Sequence, residues 1–263
     1  TFAVDCLRAC VRHVRESRWA DRVIGWLPCA FNSNEWLLRC DCPDSTHDFS
    51  RPTQEAFSRY LKELRGIDAA DPVPPPDACL DTYRGEFVAT DPLKGPFVAE
   101  YATWSSDRIA GIILAWARAV REECEPFRKL VGFFYGYGTE LSGTPQYAQC
   151  GHLALERLLA SDDVDFICSP CQYGYRADQG AVTHGSVLGA FADAAGMRGK
   201  LAFAEDDHRP PKVRTANHCL ATRDRWHDEM FFRRNFVETM THGRQQWWYS
   251  LGPRWMDEAW RQE

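Results

Sequence analysis

The sequence predicts an α/β fold of the (β/α)8 TIM-barrel type, incomplete here, with about five parallel strands and crossover helices. Three observations carry this. Short apolar runs alternate with helically spaced apolar stripes along most of the chain. No Asn-Gly type of turn joins one run to the next, so successive runs pair in parallel through crossovers. Each run ends in polar or aromatic residues, which is where barrels of this kind carry their chemistry. The first strand-to-helix turn has no Gly-x-Gly-x-x-Gly, so a doubly wound nucleotide-binding sheet would lack its phosphate cradle. Residues 1–263 read as one partial barrel domain.

The elements follow in order. Val4, Leu7, Val11 and Val14 predict an opening amphipathic helix with Arg8, Arg12 and Arg15 on its wetter side. Residues 23–27 form the first strand and run into the polar stretch 31–36. Residues 40–50 read as loop. Phe57, Tyr60, Leu61 and Leu64 mark the next helix, stopped by Gly66. Residues 68–96 are rich in Pro and Asp, and Pro74-Pro75-Pro76 must be extended; this is an excursion within the domain. Ile109, Ile112, Ile113, Trp116 and Val120 form a strong helical stripe. Residues 129–135 are the second strand, and Leu153, Leu155, Leu158 and Leu159 lie on a helix. Residues 164–168 are the third strand, 174–189 a loop, and a short helix surrounds Phe191. Leu201 to Ala204 have no polar alternation and read as a strand covered on both faces. Met230, Phe232, Phe236, Val237 and Met240 lie on a helix stopped by Gly243, and residues 246–251 are the last strand.

Composition narrows the function. Hydrophobic residues make up 44% of the chain, enough for a sizeable core. A net charge of −6 excludes a nucleic-acid partner held by bulk electrostatics. No run is long enough for a membrane span, and no signal peptide is visible. Eleven cysteines are an odd number, so at least one stays unpaired within the chain. Cys168 and Cys171 form a CxxC without a second, and Cys150-Gly151-His152 substitutes poorly for one. A strand-end pair is therefore expected rather than a metal site, and no cofactor is implied. The cellular compartment stays open.

Taken together, the strand ends bring up a chemically coherent set. They are Asn34, Glu35 and Trp36; Tyr135, Tyr137 and Glu140; Gln172, Tyr173 and Tyr175; Glu205, Asp206 and Asp207; and Trp247, Trp248 and Tyr249. Two carboxylates on separate strands among aromatics and amides suit glycosidic bond cleavage. One carboxyl protonates the leaving oxygen and the other attacks the anomeric carbon, with roughly 5 Å between them in retaining enzymes. Phe31 and Trp36 would supply the apolar setting that keeps an acid protonated. Asp206 and Asp207 read as loop-capping or salt-bridging groups. Trp247 and Trp248 alternate, so only one faces the interior.

Several stretches resemble, in order and spacing, the barrel of β-galactosidase-like glycoside hydrolases, nearest to family 42 of the retaining (β/α)8 clan. They are Ile24-Gly25 through Asn34-Glu35-Trp36; Phe133-Phe134-Tyr135-Gly136-Tyr137 with Glu140-Leu141; residues 165–170; Gly199-Lys200-Leu201 with Glu205-Asp206-Asp207; and Trp247-Trp248. The resemblance implies that Glu35, ending barrel strand four, is the acid/base, with Asn34 on the sugar 2-hydroxyl. It implies that Glu205, ending strand seven, is the nucleophile. Tyr173 would orient that nucleophile, Trp247 or Trp248 would floor the sugar, and Trp36, Tyr135, Tyr137 and Glu140 would complete the pocket for a carbohydrate substrate. On this numbering strands one to three precede Thr1. The missing part of the barrel is then expected from the same precursor or from another chain, in an oligomer or a larger assembly. Two other classes compete with the enzyme: a catalytically inactive barrel remnant serving as an interaction subunit, and a sugar-binding protein that keeps only the aromatic floor.

Overall fold

The computed structural model describes residues 2–31, 34–38, 48–74, 97–137, 150–170, 189–206, 209–211, 222–250, 257 and 259. The chain is α/β and divides into two compact units, Thr1–Asp163 and Val164–Glu263. Each is built from parallel strands with helices between them.

In the first unit, helix α1 (Phe2–Arg15) leads through a 3-10 turn to the short strand β1 (Gly25–Trp26). Helix α2 (Arg51–Arg65), helix α3 (Val98–Cys124), strand β2 (Leu130–Phe134) and helix α4 (Leu155–Leu159) follow. β1 pairs with β2 in parallel, Gly25 opposite Leu130 and Trp26 opposite Val131. Glycine is required in β1 because a Cβ on Gly25 would lie 2.9 Å from Leu130 Cβ and from its carbonyl oxygen. α3 is the spine of this unit. Ile109, Ile113, Ala117 and Val120 recur three or four apart and are buried, while Ile112, one step off that line, is exposed. Full burial of an aliphatic side chain such as Ile113 stabilises by about 1.5–3 kcal/mol. α1 buries only Val11 and is held to the end of α3 by charge. Arg12 reaches Glu123 at 2.7 Å, Arg8 pairs with Glu122 and Glu123, and Arg15 donates to the Glu123 carbonyl. α2 ends at Gly66, whose φ of 67° caps the helix in the left-handed region. Its Phe57 and Leu61 close a cluster with Val73, Tyr101 and Trp104.

In the second unit, β3 (Phe166–Pro170), helix α5 (Gly189–Met197), β4 (Leu201–Asp206), helix α6 (Arg225–Thr241) and β5 (Gln245–Trp248) alternate. β4 lies between β3 and β5 with both pairings parallel. Phe166 faces Leu201, Pro170 faces Glu205, and Glu205 faces Trp247. Burial alternates along β4: Ala202, Ala204 and Asp206 are buried, whereas Leu201, Phe203 and Glu205 are half-covered. The strand is therefore two-faced, not enclosed on both sides as its apolar run predicts. The small alanines leave room for helix on the buried face, while Phe166, Phe203 and Trp247 form an aromatic row on the other. Buried Arg244, just before β5, pairs with Asp193 of α5.

α6 inverts the expected pattern. Its buried residues are His227, Asp228, Phe231, Asn235 and Thr239, while Phe236, Val237 and Met240 are exposed. Its inner stripe is polar and is satisfied within the unit. Asn235 donates to Asp206 at 2.9 Å, and Thr222 to Asp228 at 3.1 Å. Asp224 caps the helix by accepting from the His227 backbone N–H, and this bond pulls its carboxyl down to about 2. Among the described residues no helix is long and apolar enough to cross a membrane.

Candidate active site

In the first unit the site is built on the turn after β1. Phe31, Asn34 and Trp36 all adopt left-handed backbone, with φ of 62–63°. Such a conformation costs about 1–3 kcal/mol per residue for side chains other than glycine, and it collects where surrounding structure imposes it for function. Asparagine tolerates it; phenylalanine and tryptophan do not. What holds the turn is Trp36. Its ring is fully buried, its Nε1–H donates to the Pro28 carbonyl at 2.9 Å, and it meets Phe31, Trp116 and Phe133 edge-on. With Trp36 anchored, the half-buried Glu35 is presented beside exposed Asn34.

Glu35 meets the end of β2. The Tyr137 hydroxyl donates to Glu35 Oε1 at 2.7 Å. Beneath this pair lies His152, stacked on Tyr135 at 4.1 Å and edge-on to Tyr137 at 5.0 Å. His152 is buried, and neither ring nitrogen makes a hydrogen bond of good geometry within the described residues. Backbone of Trp36 and Glu35 favours the protonated ring slightly, but burial dominates and lowers the imidazole to about 3. The ring is therefore neutral at physiological pH. Tyr135 is fully buried, and its hydroxyl is spent on backbone: it donates to the Gly151 carbonyl at 2.9 Å and accepts from the Ala154 N–H at 3.1 Å. Burial pushes that phenol well above its ordinary value. Trp36, Tyr135 and Tyr137 thus brace the turn from the core, Tyr137 with its hydroxyl on Glu35, whereas Asn34 and Glu35 form its polar rim.

In the second unit, Glu205 lies on the less covered face of β4. Trp247, directly opposite on β5, donates its Nε1–H to Glu205 Oε2 at 3.1 Å. Asp206 points to the opposite face. Its Oδ2 accepts from Asn235 at 2.9 Å and from Gln246 at 2.8 Å, and its carbonyl accepts from the Tyr249 N–H. The neighbouring carboxylates therefore lie on different faces: Glu205 on the half-covered face beside the Trp247 indole, while Asp206 ties β4 to β5 and α6. The two tryptophans divide in the same way. Trp247 shares the face of Glu205, while Trp248 stacks on Phe232 of α6 at 4.7 Å.

Glu140 and Tyr173 lie outside the described residues, as do Gln172, Tyr175, Asp207 and Cys171. Cys168 is buried inside β3. Among the described residues no group of three or more His, Cys, Asp or Glu is placed to hold a metal ion. The residue that sequence reasoning passed over is His152, read there only as a weak metal ligand. Its signal is the preceding Gly151, whose φ of 86° lets the chain turn the imidazole inward. Comparison with family models, with curated proteins and with solved structures finds no match.

Proposed function

We propose that the chain is a retaining glycoside hydrolase with a barrel of the (β/α)8 type, β-galactosidase-like in its chemistry. In the first step a Glu205 oxygen bonds to the anomeric carbon as the bond to the leaving oxygen breaks, and the Glu35 carboxyl delivers the proton to that oxygen. In the second step Glu35 takes a proton from water, whose oxygen displaces Glu205 from the sugar. Trp247 orients Glu205, Tyr137 orients Glu35, Asn34 is free to meet a sugar hydroxyl, and the indole of Trp247 offers a face to the ring. No cofactor enters this chemistry.

The observation that carries the proposal is the contrast at the end of β4. Asp206 is buried on the other face of β4, whereas Glu205 stands on the half-covered face beside an aromatic row, within reach of the Trp247 indole. Chemical rescue tests it. In Glu205→Ala, turnover of an aryl β-glycoside should collapse, and azide should restore it with formation of the inverted α-glycosyl azide. In Glu35→Ala, azide should give the retained β-azide. Undiminished turnover in Glu205→Ala removes the proposal.

A second reading has its own observation. Phe236, Val237 and Met240 on α6 are exposed together, which suits an inactive interaction subunit whose helix is covered by a partner chain. A folded, monodisperse monomer of the 263-residue chain counts against that reading.

A further inference from the structure

The first unit contains a cavity of about 470 Å³ at the opposite end of β1 and β2 from Glu35 and Tyr137. Its size falls in the range of small-molecule sites. Its walls come from the last turn of α1, the 3-10 turn, β1, and the chain between α3 and β2, and they are mainly apolar, with Val11, Val14 and Phe127 prominent. Two polar features set it apart from a packing gap. Arg15 and Lys129 both line it, against the single acid Asp21. The two cations are held by neutral acceptors, Arg15 by the Glu123 carbonyl at 2.7 Å and Lys129 by the Ala20 carbonyl at 3.3 Å. The nearest carboxylate to Arg15 is Glu16, at 4.0 Å. In the same wall the Nε1–H of Trp26 is buried and turned to the Cys124 thiol.

We infer that this cavity binds an apolar molecule with a carboxylate head, the size of a medium-chain fatty acid. The chain would lie among the valines and Phe127, and the carboxylate would accept from Arg15 and Lys129. An anion gains more than a neutral polar head because the wall's two cations outnumber its one acid. The Cys124 thiol, also in the wall, does not compete as an anion, since burial pushes it up despite the Trp26 indole N–H and, more weakly, Arg121, Lys129 and Arg15 nearby. The site is separate from the proposed glycosidase centre, and its occupancy does not depend on that chemistry.

The test uses the whole 263-residue chain. Decanoate, decanol and decyltrimethylammonium are titrated by calorimetry, and alkylation of Cys124 is followed by peptide mass spectrometry, with exposed Cys6 and Cys10 as internal controls. Decanoate is expected to bind about tenfold tighter than decanol, as one charge-assisted contact implies. It should protect Cys124 but not Cys6 or Cys10. The double variant Arg15→Gln, Lys129→Gln should lose about that tenfold for decanoate and leave decanol unchanged. Val14→Trp, which fills the cavity, should abolish binding of both. If that variant fails to fold, the two surface substitutions still decide the matter. Equal binding of all three probes, decanoate binding without protection of Cys124, or undiminished affinity in the double variant overturns the inference, as does no binding at all.

Discussion

Tyr137 donates to Glu35 across 102 residues of sequence, fixing at 2.7 Å the carboxylate that the turn after β1 presents. A hydrogen bond to a charged group is worth about 1.5–3 kcal/mol. Tyr137→Phe is therefore expected to lower kcat on aryl β-glycosides by about 10–100-fold while leaving the fold intact. Glu35→Gln separates orientation from proton transfer. General acid catalysis contributes about 10²–10⁴-fold, so this variant should lose that much on alkyl glycosides. It should lose far less on dinitrophenyl glycosides, whose leaving group needs no proton. Equal loss on both substrate types would remove the acid role from Glu35.

Glu205 and Asp206 are adjacent in sequence and opposite in fate. Glu205→Gln should abolish turnover with almost no change in the urea midpoint, because Glu205 lies on the half-covered face. Asp206→Ala should do the reverse in kind. It strands the amides of Asn235 and Gln246, and a buried donor left without its acceptor costs about 1–3 kcal/mol. Trp247→Phe keeps an aromatic face but loses the donor to Glu205. It is expected to lower kcat by about 10–100-fold with little change in KM. A variant in which KM rises and kcat holds would make Trp247 a sugar platform only.

Elements were legible in the sequence wherever period and chain punctuation agreed. α3 follows its isoleucine stripe, α2 stops at Gly66, and β4 takes in the apolar run before Glu205 and continues through Asp206. Period alone separated Trp247 from Trp248. What stayed hidden was which face of an element turns inward. On α6 the apolar residues suggest one face, yet Asp206 and Thr222 offer partners to a polar stripe, and hydrogen bonding decides the burial. Residue types at strand ends likewise do not reveal whether a hydroxyl is spent on backbone. Tyr135 and Tyr137 are two positions apart, but Gly151 and Ala154 consume the first and leave the second for Glu35. His152 was missed because its neighbours Tyr135 and Tyr137 come from a strand end more than a dozen residues earlier.

Gly151 makes that packing feasible. A Cβ there would sit 3.1 Å from Leu38 Cγ and 3.2 Å from Ile109 Cγ1, at a φ of 86°. Gly151→Ala is expected to cost about 1–3 kcal/mol, read as a lower urea midpoint with unchanged m. Gly196, in α5, supplies the control. Nothing lies within 4 Å of its Cβ position, so Gly196→Ala should stabilise by about 0.5–1 kcal/mol. A Gly151→Ala protein as stable as the parent would show that the chain around Leu38 yields easily.

His152 sets the acid limit of the first unit. Its ring is neutral and buried, lowered from an ordinary 6.5 to about 3, so below pH 6.5 the unfolded chain binds a proton that the folded chain refuses. Stability from this group is complete above pH 6.5 and falls as pH drops toward 3, where the folded imidazole also protonates. The loss reaches an order of about 5 kcal/mol across that window. His152→Phe keeps a flat ring against Tyr135 and cannot take up the proton. Its unfolding free energy should therefore lack this component between pH 6 and pH 3, and the gap between variant and parent should widen steadily as pH falls. Urea titrations of both proteins at several pH values measure the gap directly. Parallel pH dependence in the two would mean that His152 titrates normally, and that the turn opens to water before the imidazole is charged.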